Sequence, residues 1–272
     1  MCLTTLTLDR GRIELNLKIL VATHKEYWLP TEEVYLPIHV GCKEQVHSGC
    51  IGDNTGDNIS SKNANYCELT GLYWAWKNLD CDYLGLCHYR RYFGHKNYFE
   101  GTEKLKQKIF QRSDYEKLLQ NHDIILPVQR RYYIETVRSQ YEHAHSARDL
   151  EEIENIISLH SPEYLRSFRA VMNRRRLHLW NMFVMKKSLV DSYCKWLFDI
   201  LFTYEKWMDE NGLSDKKWRL FGFISERLLD VWIFGKDFKI AEVDVVMLEK
   251  VNWFKKGSDF LRRKLFGNSN NI

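Results

Sequence analysis

The stretch YLGLCHYRRYF, Tyr83 to Phe93, constrains this chain more than any other. It is an apolar run of strand length that meets a histidine and two arginines head on. A run this short and this apolar reads as a central strand covered on both faces. Arginine is seldom buried without a partner, so the strand must end where the charge begins and carry it to an edge of the sheet. Ligands of open α/β sheets bind at the carboxyl ends of their strands, and this edge is therefore where function is sought.

LNLKILVAT, Leu15 to Thr23, is a second such run, placed early and closed by polar THKEYW, as nucleotide-binding α/β domains begin. DIILPV, LWNMFVM and IAEVDVVML read as further strands. YCELTGLYWAWKNL puts Tyr66, Leu69, Tyr73 and Trp76 on one helix face, with Asn65 and Glu68 in the order of a capping box. SDYEKLLQNH precedes DIILPV, and the segment from Arg148 to Arg176 reads as helices, with Ser161 and Pro162 marking a start. KSLVDSYCKWLFDILFTYEKW repeats Leu189, Tyr193, Trp196, Ile200 and Tyr204 at helical spacing behind a cap of Ser188 and Asp191, and FGFISERLLDVWIF is another helix. The mixture predicts an α/β fold with a helical insertion in the middle third.

At 272 residues the chain suits one large domain whose core needs no staples. The expected layout is an extension over 1–16, a single domain over 17–255 with a helical subregion at about 136–178, and a basic amphipathic tail over 256–272. That tail suits either an anionic lipid face or plain solvation. The seven cysteines stand singly, without CxxC or zinc-type spacing, which predicts reduced thiols and a cytoplasmic protein. No apolar run reaches the roughly 18 residues of a membrane span, and the first residues lack the order of a signal peptide. A net charge of +4 is too mild to argue for nucleic acid, but it permits phosphate ligands.

Three constellations bear on chemistry. His88, Arg90 and Arg91 could neutralise a diphosphate leaving group, since guanidinium forks grip phosphate oxygens; surface ion pairs are the plainer reading. The loop GDNTGDNISSKNANY offers Asp53, Asn54, Asp57, Asn58, Asn63 and Asn65, together with Tyr66, to a ribose or sugar. Its aspartates could also ligate a cation, and a turn-rich surface loop explains the same composition. Glu226 is a lone acid on an apolar helix, suited to take a proton from an attacking hydroxyl or to pair with Arg227. His143 and His145 are a weak metal signal, and His178 and Asn181 flank the start of a strand. There is no GxGxxG, GxxxxGK[ST] or GxSxG, so dehydrogenase, P-loop kinase and α/β-hydrolase readings lose their main support.

Taken in order, ILVATHKEYWLP, IGDNTGDNISSKNANYCELTGLYWAWKNL, YLGLCHYRRYF, DIILP, YYIETV, YEHAH, HLWNMFVMKK, FGFISERLLDVW and VVMLEKVNW resemble a family of bacterial capsular and exopolysaccharide biosynthesis proteins. That family has long been carried as a domain of unknown function and is regarded as glycosyltransferases. The resemblance implies a GT-A-like, Rossmann-like nucleotide-sugar domain with a mixed sheet flanked by helices. It implies a UDP-sugar donor, with UDP-galactofuranose one candidate, and a lipid-linked or oligosaccharide acceptor at the inner face of the cytoplasmic membrane. The wider GT-A pattern has Asp-x-Asp where this chain has CHYRR. No cofactor is therefore expected, while Asp53 and Asp57 keep a manganese or magnesium ion open.

The resulting expectation gives the leaving group to His88, Arg90 and Arg91 and the base to Glu226, in an inverting transfer. Thr23, His24 and the 53–66 segment would bind the donor, and His143, His145, His178 and Asn181 the acceptor. A carbohydrate-binding scaffold subunit and a sugar phosphotransferase are the alternatives.

Overall fold

The computed structural model describes residues 15–42, 46–96 and 101–249. In chain order the elements are β1 (Leu17–Thr23), β2 (Tyr35–His39), β3 (Ile51–Gly52), α1 (Asn63–Tyr66), α2 (Leu69–Asn78), β4 (Tyr83–His88) and β5 (Arg91–Phe93). Next come α3 (Thr102–Lys106), α4 (Arg112–Leu119), β6 (Ile124–Pro127), β7 (Arg130–Arg131), α5 (Val137–Glu142), α6 (Ala147–His160) and α7 (Leu165–Met172). The last are β8 (Arg176–Leu177), β9 (Phe183–Lys186), α8 (Lys187–Glu210), α9 (Leu220–Ile233), β10 (Ile240–Val243) and β11 (Val245–Met247).

One mixed sheet runs β10-β6-β9-β4-β1-β2-β3, with β5 attached to β4 and β11 to β5. β7 and β8 form a separate ribbon. Strands β2, β1 and β4 are parallel, while β9 lies antiparallel between β4 and β6. The carboxyl ends of β1, β4 and β6 and the amino end of β9 therefore share one edge.

The alternation in β1 explains its burial on both sides. Leu17, Ile19 and Val21 pack into one core with Tyr92, Tyr115 and Val246. Leu20 and Ala22 face the other core, where α8 and α9 supply Leu197, Leu201, Ile224 and Leu228. The same core takes Val137, Ile153 and Phe168, so α5, α6 and α7 pack against the sheet-covering helices.

Four local expectations need correction. The helix read from Asn65 is two helices, because Cys67 adopts φ 53 and ψ −130 and breaks the turn between α1 and α2. Glu68 accordingly makes no cap bond. IAEVDVVML divides at Asp244, where β10 follows β6 and β11 crosses to β5. LWNMFVM becomes strand only at Phe183, since Trp180 and Asn181 are both left-handed, with φ 72 and 54. Asp191 does not cap α8 with Ser188; it pairs with Lys187, the first helical residue, at 2.6 Å. The tail over 256–272 lies outside the described residues, as does nearly all of the 1–16 extension.

Candidate active site

The shared sheet edge opens into a cleft of about 1440 Å³. Its walls are the residues after β1 (His24, Lys25), Asn63 and Ala64 of α1 with Cys67 and Glu68 after it, the turn His88 to Arg91, and the segment Arg130 to Glu135. Leu179 and Trp180 before β9 and the first turns of α9 complete it.

The turn is built by backbone. β4 and β5 pair at His88 and Arg91, leaving Tyr89 and Arg90 at the tip. Tyr89 N–H donates to Ala22 O at 3.1 Å, and Leu248 N–H donates to Arg90 O at 3.1 Å. Those bonds hold the arginines at the edge. Arg90 pairs with Glu249 at 2.7 Å, Lys25 approaches the same carboxylate at 3.7 Å, and the Arg90 hydrogen bond holds the Glu249 carboxyl below its usual range. Arg91 lies over the Trp180 ring, 5.5 Å from its centre.

Glu226 of α9 lines the same cleft, with 18% of its side chain accessible. Burial raises its pKa; Arg227 opposes that, Glu68 reinforces it, and the Trp180 N–H and Arg91 oppose it. Its Oε1 accepts the Trp180 N–H at 3.1 Å, and its Oε2 lies 3.3 Å from Arg227. A largely buried carboxylate with a raised pKa, facing a cleft lined by cations, is equipped to accept a proton. Glu68 is the second carboxylate of the cleft, and Asn181 Nδ2 donates to it at 2.6 Å.

Among the described residues, the positive-φ residues other than glycine are Cys67, Trp180, Asn181 and Arg219, all at this edge. Cys67, Trp180 and Arg219 line the cleft itself. Asparagine tolerates such a backbone; the others each store roughly 1–2 kcal/mol. Strain of this kind persists only where surrounding contacts enforce it, and it concentrates at functional sites.

Residues 18–237 match the family described as Domain of unknown function (DUF4422). The chain belongs to the DUF4422 family. Among solved structures, this DUF4422 chain is similar to the apo structure of WbbM, a bifunctional glycosyltransferase, at 30% identity and a TM-score of 0.75. The match covers 86% of this chain and 46% of that one, so the chain spans about half the length of WbbM. No curated protein matches it. The mixed sheet flanked by helices is thus a fold shared with a glycosyltransferase.

In this DUF4422 chain, His24, His88, Arg90, Arg91, His145 and Glu226 come together at the cleft. His88 turns its Nε2–H to the Trp180 carbonyl at 2.6 Å; burial lowers its pKa, against the pull of Glu68. It is a neutral donor already engaged and contributes no charge toward a diphosphate. His145 packs between Tyr141 and Phe223, and burial lowers its pKa, with Arg227 adding to the effect.

The remaining residues sit elsewhere. Thr23 is buried and donates to Lys25 O at 2.6 Å. Asp53 is buried and spends both oxygens on Gly41 N–H, Cys42 N–H and the Ser60 hydroxyl, so it staples its own loop. Asp57 accepts from Tyr73 OH at 3.1 Å, and Asn58 donates to Gly56 O at 2.9 Å. Asn54 and Asn65 are not on the cleft wall, and Tyr66 is buried with its hydroxyl on Glu205.

His143 pairs with Glu135 at 2.7 Å and does not line the cleft. His178 is buried between Asp230 and Glu242. Burial alone would lower its pKa, but the hydrogen bond to Asp230 and the two carboxylate charges raise it. Asn181 is likewise interior, donating to Gly222 O at 3.1 Å and accepting from Ser225 at 2.9 Å.

Sequence reasoning missed Glu68, Trp180, Arg130, Arg131, Tyr133, Trp218 and Arg219, all of which line the cleft. The dipeptide Arg130-Arg131, just after a predicted strand, carried the same signal as Arg90-Arg91. Both are exposed and have no carboxylate partner among the described residues. Those described residues hold no group of three or more His, Cys, Asp or Glu placed to bind a metal. The turn itself presents guanidinium groups, which do not fit a divalent cation.

Proposed function

We propose that this chain is a glycosyltransferase that moves a sugar from a UDP-sugar to a hydroxyl of a glycan acceptor. The observation that carries the reading is a cleft lined by Arg90 and Arg91 together with the largely buried Glu226. The likeness to a bifunctional glycosyltransferase supports it.

In the proposed step the ionised Glu226 takes the proton of the acceptor hydroxyl as its oxygen attacks the anomeric carbon. The bond from that carbon to the β-phosphate oxygen breaks, and its electron pair leaves with UDP. Arg90 and Arg91 receive the charge that develops on the departing oxygens. Attack opposite the leaving group inverts the anomeric centre. Lys25 and His24 stand beside Arg90 for the rest of the nucleotide.

The acceptor enters past Tyr133 and Trp218, which are 83% and 71% exposed at the rim and offer ring faces to a sugar. With the family resemblance behind it, the reading takes a capsular or exopolysaccharide intermediate as the acceptor and UDP-galactofuranose as the first donor to try. It takes the reaction to run at the inner face of the cytoplasmic membrane, with the basic tail over 256–272 as the contact. No helix among the described residues is long and apolar enough to cross a membrane.

The test is UDP release by purified protein across a panel of UDP-sugars, with short lipid-linked and synthetic acceptors, with and without EDTA. Acceptor-dependent release that survives EDTA is expected, and Arg91→Ala should lower it by about 10². Release lost to EDTA and restored by manganese would keep the transferase and return the diphosphate to a metal. Silence across the panel would favour a carbohydrate-binding subunit.

A further inference from the structure

The proposed reaction leaves His88 without a task, because its one donor is spent inside the protein. Its Nε2–H reaches the Trp180 carbonyl at 2.6 Å, and the N–H of the same residue reaches Glu226 Oε1 at 3.1 Å. The two bonds hold the peptide planes on either side of the Trp180 α-carbon, whose φ is 72. Asn181 follows with φ 54 and is anchored to Glu68, Gly222 and Ser225. A tryptophan does not keep a left-handed backbone unaided, so these bonds enforce it.

We propose that His88 is a positioning residue: through the Trp180 backbone it fixes the Glu226 carboxylate that acts as base. The inference rests on the role given to Glu226 in the proposed function. His88 is the last residue of β4 and the hairpin partner of Arg91, so one short turn carries the leaving-group arginines and the support of the base. Cutting the His88 bond lets the Trp180–Asn181 turn relax toward ordinary φ. The Trp180 N–H then swings off Glu226, which loses a donor that favours its ionised form. The other groups facing Glu226 are Glu68 and Cys67 from the α1–α2 junction, Arg91 from β5, Tyr132 from the segment after β7, and Arg227 of its own helix. Of these, Glu68 and Arg91 also act on His88 itself, so the donor-less variants are read against His88→Gln, which alters the same surroundings but keeps an N–H.

The experiment compares His88→Phe and His88→Ala, which lack the donor and differ in size, with His88→Gln, which keeps an N–H. Two readouts are used: the acid limb of the pH profile for acceptor-dependent UDP release, and the titration of the Glu226 carboxyl carbon by NMR in ligand-free protein, assigned by its loss in Glu226→Gln. Both donor-less variants should move the limb and the titration to higher pH and lower kcat by about 10² while leaving the donor KM near wild type. His88→Gln should restore both. Folded donor-less variants whose Glu226 titrates as in wild type would overturn the proposal, and so would effects that follow side-chain size. Failure of all three variants to fold would assign His88 to folding and overturn it equally. The NMR readout needs no turnover: a shifted titration in an inactive protein would sink the transfer reaction and leave the positioning role standing.

Discussion

At the scale of single residues, Glu226 exchanges stability for reactivity. Its folded pKa is raised because burial outweighs Arg227, the Trp180 N–H and Arg91, which lower it, with Glu68 adding to the rise, so the folded protein holds that proton more tightly than the unfolded chain. The stability it contributes is complete below the ordinary carboxyl value of about 4.3 and is lost as pH rises through the raised folded value. Glu226→Gln stays neutral throughout. Chemical denaturation at a series of pH values should therefore give equal stabilities for variant and wild type near pH 4, with the variant more stable at pH 8. The same substitution should lower turnover by about 10²–10⁴. A variant less stable than wild type at pH 8 would mean that the carboxylate is held by its partners more firmly than burial opposes it.

At the scale of elements, β4 shows how tightly the sheet is fitted around the cleft. A Cβ on Gly85 would lie 2.6 Å from Ile19 Cδ1, 2.9 Å from Val184 Cγ2 and 3.0 Å from Phe183 O. Side chains of β1 and β9 fill that space, and the carbonyl cannot retreat. Gly85→Ala should destabilise the fold by about 1–3 kcal/mol, read as a lower urea midpoint at unchanged slope.

The strands and long helices were legible because burial of both sheet faces and of one helix face leaves periods of 2 and 3.6 in the sequence. The breaks were not legible. Cys67 and Trp180 take positive φ without the glycine that would announce it, and such conformations come from contacts with distant residues such as His88 and Glu226. The cleft was legible in part for the same reason. Arg90, Arg91 and Glu226 follow from strand ends and a lone acid, whereas Glu68 reads as a helix cap until Cys67 is seen to break the helix. The Asp53–Asn58 loop misled because residues that close turns are the same ones that bind sugars.

At the scale of the whole molecule, positive charge is concentrated on one edge although the net charge is only +4. Glu249 compensates Arg90, and Glu226 and Gln140 engage Arg227, while Arg130 and Arg131 remain exposed on the far wall. UDP alone should therefore bind. At 100 times its Kd it should stabilise the protein by about 2.7 kcal/mol, seen as a higher melting temperature that Arg91→Ala reduces and added salt weakens. A melting temperature indifferent to UDP at millimolar concentration would count against a nucleotide site at this edge.

The order in which the sheet is threaded also governs how the chain is made. His24 and Arg227 line the same cleft, yet translation at about 5–20 residues per second separates them by roughly 10–40 s. Until α9 has left the ribosome, the nascent protein carries its arginine turn without Glu226. The Leu248 bond that holds Arg90 forms later still. A message truncated between β5 and α9 thus yields the arginine turn without Glu226, and no partial enzyme.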